Sequence, residues 1–304
     1  MNPQAVSPSG SPRILAIVIN WQQSEISLTC IHALLAMTTP NLNILVIDNG
    51  SQDNSVKHLQ EELPPGVELM SLPENSGFAA GCNHGLKQAI AHGYDHALLI
   101  NNDAFAAPSM LTELLKENTS DIGLLSPKIY YDTNRKRLWF ANGKMNPWTL
   151  DLQETGRGQL DGSAWQTSSD VDYLLGTCLL VNLAAIPQVG LFDDTFFMYF
   201  EDLDWSIRWR QKGYRLRLVT NAHLYHRVAV STGGEQDTSL RRYHLARSSV
   251  IFWRKHLISG NPLAIVLFRA GSSFKMIGRL LIKGKTNVAS AYIRGLRDGW
   301  RVSS

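Results

Sequence analysis

Three short, unbroken apolar runs mark the first hundred residues: Ile14–Ile19 (ILAIVI), Ile44–Ile47 (ILVI) and His96–Ile100 (HALLI). They lack the apolar/polar alternation of a half-exposed strand, so each predicts a strand buried on both faces, as in a parallel sheet. The segments between them change period. Ser24–Ala36 places Ile26, Cys30, Ile31, Leu34 and Leu35 at helical spacing, and Gly77–His92 reads as a glycine-rich turn entering a helix closed by Gly93. Val67–Ser71 is a weaker strand. This strand–helix–strand alternation predicts an α/β fold with a mostly parallel central sheet and helices on both faces. Ligands of such sheets sit at the carboxyl ends of strands. Asp48 and Asp103, in the polar turns after the second and third apolar runs, occupy that position.

Beyond about residue 120 the pattern changes. Residues 134–170 are rich in Gly, Asn, Asp, Ser and Trp and predict irregular strands. Asp172–Asn182 (DYLLGTCLLVN) predicts a buried strand or strand pair, and Arg217–Asn221 a short strand. Glu201–Lys212 reads as a helix, with Leu203, Trp205, Ile207 and Trp209 at helical spacing and Gly213 where a C′ glycine belongs. After about 240 the chain reads as helices. Leu263, Val266, Leu267, Phe274, Ile277 and Leu281 form an amphipathic stripe, with Arg269, Lys275, Arg279 and Lys283 among them.

Composition narrows the class. Among 304 residues, 44% hydrophobic and 18% charged fit a globular chain. Cys30, Cys82 and Cys178 are few, odd in number and far apart, which argues against a disulfide framework or a zinc site. Residues 1–12 (MNPQAVSPSGSP) lack the basic and apolar regions of a signal peptide and read as a flexible tail. The longest apolar stretch near the C-terminus, Leu263–Phe268, is far short of the ~20 residues of a membrane span. The net charge of +3 hides a split. Residues 241–304 carry 13 Lys/Arg against the single acid Asp298, while the first 240 carry 16 basic and 25 acidic residues. Such asymmetry suggests an anionic partner for the C-terminal end.

Five segments could carry chemistry, and each has a plain structural alternative. Asp48 in ILVIDNGSQD could accept hydrogen bonds from a nucleobase or ribose, or merely cap the next helix. Gly77, Gly81 and Gly85 in ENSGFAAGCNHG do not form GxGxxG; they allow close backbone approach to a ligand, or close helix packing. Asp103 in LLINNDA offers a hard oxygen ligand beside amide oxygens, or another polar turn. Glu201, Asp202 and Asp204 cluster at a helix N-terminus, where the dipole favours ionised carboxylates: a general base, or acidic capping. His223 and His226, followed by Val230–Gly234, are structural histidines or members of a converging site.

Taken in order, Asn20-Trp21, ILVIDNGSQD, ENSGFAAGCNHG, LLINNDA, GTCLLVN, GLFDDTFFMYFEDLDWSIRWRQKGY and AHLYHRVAVSTGG resemble the family 2 glycosyltransferases, closest to the bacterial rhamnosyltransferase-like group. The resemblance covers roughly residues 14–256. It implies a glycosyltransferase A fold (Rossmann-like) over 13–240, with a nucleotide-sugar half at about 13–120 and an acceptor half at about 121–240. Residues 241–304 then form a basic amphipathic helical segment. The resemblance implies an inverting enzyme with a nucleotide-sugar donor and Mg²⁺ or Mn²⁺. In it Asp202 matches the catalytic base, Asp48 the acid at the donor base, and Asn20 a position lining the same pocket. Asp103 and His226 match metal ligands. Gly77, Asn101 and Asn102 fall on the donor side, Glu201 and Gly176 on the acceptor side. One departure stands out: Asn101 occupies the first position of the metal motif, leaving Asp103 its only carboxylate.

The expected donor is dTDP-rhamnose, with a UDP-hexose as the alternative. The expected acceptor is a surface polysaccharide or a lipid-linked glycan. A cytoplasmic enzyme, peripheral on the inner face of the cell membrane through 241–304, follows from the basic stripe. A non-catalytic nucleotide-sugar binder is a second reading, prompted by Asn101. A nucleic-acid partner is not expected, because the basic segment has few interleaved aromatics and no recognised module.

Overall fold

The computed structural model describes residues 11–39, 41–228 and 238–302. Its first half runs β1 (Ile14–Asn20), α1 (Ser24–Leu35), β2 (Leu42–Asp48), α2 (Ser55–Glu62), β3 (Val67–Ser71), α3 (Phe78–Ala91) and β4 (His96–Asn101). Next come β5 (Ala104–Ala106), α4 (Met110–Lys116), β6 (Ile122–Tyr131), β7 (Asn134–Phe140), β8 (Gly143–Met145), β9 (Leu152–Glu154), β10 (Ser169–Asp170) and β11 (Cys178–Asn182). The chain continues through α5 (Ile186–Val189), α6 (Glu201–Gln211) and β12 (Arg215–His226) to α7 (Ser239–Lys255), α8 (Pro262–Ile282) and α9 (Thr286–Arg301). Of the sequence expectations, residues 1–10 of the tail and the Val230–Gly234 segment lie outside the described residues.

The main sheet has the order β10-β12-β6-β11-β4-β1-β2-β3. The β3-β2-β1-β4 portion is parallel, as the unbroken apolar runs require. The sheet then turns mixed, because β11 inserts antiparallel between β4 and β6. β12 runs parallel to β6 and carries β5 and β10 antiparallel at its ends. Both faces of β1 are covered. Ile17 and Ile19 approach Gly85 and Gly81 of α3, while Asn20, pointing the other way, meets Ser27 of α1. A Cβ at Gly85 would sit 2.5 Å from Ile17, so this glycine serves helix–sheet packing.

Two sequence expectations shift. The strand expected over Asp172–Asn182 begins only at Cys178, and the preceding residues are irregular. The short strand expected over Arg217–Asn221 extends to His226 through a register shift between Val219 and His223, which carries His226 to the site.

The C-terminal helices are not uniform. Ile251, Phe252 and Trp253 of α7 are buried in the main core. α9 packs so closely on α7 that a Cβ at Gly295 would lie 2.3 Å from the Tyr243 carbonyl oxygen. A separate small cluster, with Ala246, Leu280, Ala289 and Tyr292 at its centre, joins α7, α8 and α9. No helix among the described residues is long and apolar enough to cross a membrane.

Candidate functional site

The carboxyl ends of β1, β2 and β4 converge on one polar floor. Asp48 is fully buried. Its Oδ2 accepts from Asn20 Nδ2 and Ser51 Oγ, both at 2.7 Å, and its Oδ1 accepts from Ser51 N at 2.9 Å. Asn20 Oδ1 in turn accepts from Ser27 Oγ, which also accepts from Asn102 Nδ2. Five side chains from four segments thus lock one another in place. Asn102 thus joins the network that holds Asp48. Ser27 and Ser51 escaped sequence reading; Ser51, three residues after Asp48 in a polar turn, is the one with a local signal.

Gly77 opens α3 with φ of 89°, the left-handed region that suits glycine. A Cβ there would lie 2.4 Å from the Phe197 carbonyl oxygen, which accepts from Phe78 N. Gly77 therefore brings α3 against the aromatic segment preceding α6. Asn49 braces the same turn through the Gly77 carbonyl, Asn75 and Ser76.

At the end of β4, β5 pairs with β12 so that Ala104 stands opposite His226. This sets His226 Nε2 3.1 Å from Asp103 Oδ1, both residues being buried. The imidazole also meets Trp139 edge to face. Asn101 Oδ1 is buried without a partner. Among the described residues no third His, Cys, Asp or Glu completes a metal cluster. The Asp103 carboxylate and the His226 imidazole nevertheless bring one hard oxygen and one nitrogen together, a pair that suits a divalent cation drawing its remaining ligands from a bound anion and water. The residues present fit Mg²⁺ or Mn²⁺ in that shared mode.

Asp202 lies in the first turn of α6 and is partly exposed. Its Oδ2 accepts from Gly176 N and its Oδ1 from its neighbour Leu203 N, both at 2.9 Å. Burial pushes the carboxyl up to about 6, against these two bonds, which favour the charge. Gly176 thus contacts the carboxylate through its backbone. The next residue, Thr177, accepts at its carbonyl from Asn101 N at 3.0 Å. Two consecutive residues therefore tie the β4 turn to Asp202.

Glu201 is buried, 6% exposed, and its Oε2 has no partner. Burial first, and the Asp202 charge second, push its carboxyl well above the ordinary range. Tyr199 and Phe200, just before it, both adopt left-handed backbone (φ 66° and 71°). Two such non-glycine residues in succession are strained. Contacts from α7 hold them: Ser248 Oγ donates to the Met198 carbonyl, Arg247 to the Thr195 carbonyl, and Phe252 packs on Phe200.

Asp204 was read with its neighbours as a capping or catalytic acid; the structure makes it an anchor. It is fully buried, with Arg208 Nε on Oδ2 at 2.8 Å and His256 Nε2 and Lys255 Nζ on Oδ1 at 2.8 and 2.9 Å. Burial opposes its ionisation, but the His256 bond and the Arg208 and Lys255 charges outweigh that and hold the carboxyl at about 2. Lys255 also pairs with Asp193. Part of the C-terminal positive charge is thus neutralised inside the protein.

A mixed sheet with helices on both faces, and a polar site at the ends of its parallel strands, is the architecture of a glycosyltransferase A enzyme. The sequence profile of glycosyl transferase family 2 matches residues 16–167, and the chain belongs to that family and is a glycosyltransferase. An N-acetylglucosaminyl-diphospho-decaprenol L-rhamnosyltransferase of Mycobacterium tuberculosis is 28% identical over 247 residues, covering 72% of this chain and 77% of that one. The dTDP-rhamnosyl transferase RfbF of Shigella flexneri is 20% identical over 300 residues, covering 95% of each chain. Among solved structures, the mannosyltransferase PcManGT of Pyrobaculum calidifontis, in complex with GDP-Man and Mn²⁺, has a similar fold. Its TM-score is 0.59 at 15% identity, over 99% of this chain and 92% of that one.

Proposed function

We propose that the chain is an inverting rhamnosyltransferase that moves rhamnose from dTDP-rhamnose to a hydroxyl of a lipid-linked or surface glycan. The observation that carries this reading is the partly exposed Asp202 carboxylate, held by the Gly176 N–H and tied through Thr177 to the turn bearing Asp103. An acid, a base-binding floor and a diphosphate-side turn then share one rigid frame. The names of the mycobacterial and Shigella relatives, both rhamnosyltransferases, favour the sugar. The name of the first, a diphospho-decaprenol rhamnosyltransferase, supports a lipid-linked acceptor.

The Asn20–Asp48–Ser51 network forms the floor for the donor's base and ribose. Asp48 Oδ1 accepts only one bond, from Ser51 N, which leaves it capacity for a donor group. Asp103 and His226 would hold Mg²⁺ or Mn²⁺, and the unpartnered Asn101 amide oxygen, two residues before Asp103, is a further candidate ligand. A bound divalent cation supplies Lewis-acid stabilisation of the leaving diphosphate's charge.

Asp202 receives the proton of the acceptor hydroxyl as the acceptor oxygen forms its bond to the anomeric carbon. The bond from that carbon to the diphosphate oxygen breaks on the opposite face, and the nucleoside diphosphate leaves with the electron pair. Single displacement inverts the anomeric centre. Glu201 is buried beside Asp202 with its carboxyl pushed toward the neutral form, so the partly exposed Asp202 is the acid placed to take the proton.

The test has two arms. A thermal-shift screen of dTDP-rhamnose against UDP-hexoses, with and without Mn²⁺, identifies the donor, because a ligand that binds the native state raises its melting temperature. Asp202→Asn should keep that shift and lose transfer by roughly 10²–10⁴-fold, the range of general-base catalysis. Transfer within a few-fold of the unsubstituted enzyme removes Asp202 from the role. A shift with UDP-hexoses alone reassigns the donor.

A further inference from the structure

α8 is apolar on two faces, and the protein covers only one. Ile265 and Leu280 are buried against the rest of the chain. Leu263, Leu267, Phe274 and Leu281 fall within about 40° of one another around the helix and are 51–77% exposed. Ile282 and Ile258, at either end, are still more exposed. Lys275 borders this face, about 80° round the helix from Leu267, and Arg279 and Lys283 follow it one and two turns on, about 120° and 160° round; all three are exposed.

The surface does not stop at the C-terminal segment. Trp148, 63% exposed, sits on the hairpin between β8 and β9, and its carbonyl accepts from Asn261 N at the start of α8. The hairpin base is bonded to Asp172 through Met145 N and packs on Tyr173 at Gly143. Those two residues lead directly to Gly176 and the Asp202 carboxylate. The apolar face and the acceptor side of the site are therefore joined by one short, packed connection.

We propose that the exposed face of α8, with Trp148, docks on an anionic lipid surface and presents a membrane-held acceptor to Asp202; the acceptor clause rests on the reading above. The apolar side chains enter the headgroup boundary, the Lys275 stem lies along it with its charge at the phosphates, and the long side chains of Arg279 and Lys283 extend the positive field behind it. Trp148 supplies the aromatic, amphipathic anchor suited to that depth. A second copy of the chain is the poorer occupant, because two-fold pairing of this face would bring in the other copy's Lys275 and α8 holds no acid to meet it. Most of the basic residues before α8 do not belong to this surface: Arg247, Arg254 and Lys255 are bonded within the protein.

The test is flotation of the full chain with phosphatidylcholine vesicles, with and without phosphatidylglycerol. The protein should float with the anionic vesicles. Leu267→Asp with Phe274→Asp should lower partitioning at least tenfold, with an unchanged melting temperature because both side chains are exposed. Lys275→Glu with Arg279→Glu and Lys283→Glu should remove the preference for phosphatidylglycerol, roughly a hundredfold effect. It reads the same surface should the first variant misfold. The proposal is overturned if the unsubstituted chain stays with the unbound fraction in both preparations. Equal flotation of both variants overturns it as well, as does a sedimentation-velocity dimer that the apolar variant abolishes. Flotation requires neither donor nor acceptor, so a wrong sugar assignment leaves this result standing.

Discussion

Replacing Asp204 with Asn tests whether the C-terminal helix is anchored to α6 by charge. The carboxylate is fully buried and takes bonds from Arg208, Lys255 and His256. Its pKa falls from the ordinary 3.8 to about 2. At about 1.4 kcal/mol per unit, that difference corresponds to roughly 2 kcal/mol of stability. The sign follows from the depression: the contribution is full above the unfolded pKa and lost as pH falls through the folded one. Asn keeps the shape but leaves three donors facing a neutral amide. Breaking a buried pair costs about 3–5 kcal/mol. Lys255 is 32% exposed and retains Asp193, which places this case near 2–3 kcal/mol. Urea unfolding at pH 7 should show that deficit, and about half of the pH-dependent part should be gone at pH 3. An equal deficit at both pH values, or none at pH 7, refutes the charge anchor.

Other outcomes follow from the same geometry. Transfer by the unsubstituted enzyme should rise with pH through about 6, as burial-raised Asp202 loses its proton, and a flat profile from pH 5 to 7.5 would contradict its role as base. His226→Ala should weaken Mn²⁺-dependent binding of the nucleoside diphosphate at least about tenfold by calorimetry, and unchanged affinity would remove His226 from the cation site. Asp161→Ala should destabilise by about 3 kcal/mol or more in thermal unfolding, because it strips the carboxylate from the fully buried Lys128 ammonium, bonded to it at 3.0 and 2.9 Å. A loss under about 1 kcal/mol would mean that the Trp165 carbonyl suffices for that cation.

The parallel half of the fold was legible because its strands are buried on both faces, and their sequences show nothing else. ILAIVI, ILVI and HALLI became β1, β2 and β4 with small changes of boundary. β6 was missed for a physical reason: Gly123, Ser126, Pro127 and Lys128 interrupt its apolar run. Yet the strand buries them, Gly123 against Trp209 and Lys128 against Asp161. The end of β12 was missed because its register shift breaks the alternation that a strand reading follows. Within the site, the motifs pointed to Asp48, Asp103, Asp202 and His226, and the fold brings Asp103 to His226 and joins their turn to Asp202. The burial of Glu201 and the bond from Asn102 to Ser27 were not legible, since a polar side chain's direction is fixed by partners far along the chain. The link from Asp204 to His256, 52 residues away, has no local signature at all.

In the tie running from Asn101 through Thr177 and Gly176 to Asp202, only the last acceptor, the Asp202 carboxylate, is a side chain; the rest is main chain. It acts as a fixed gauge between the proposed leaving-group end and the proposed base. A different side chain at Asn101 or Thr177 leaves the main-chain bond between them in place, so much of the reaction distance is set before either substrate arrives. Attempts to retune this enzyme for a larger or smaller sugar will therefore succeed at the walls around the gauge. They will fail where they try to stretch it.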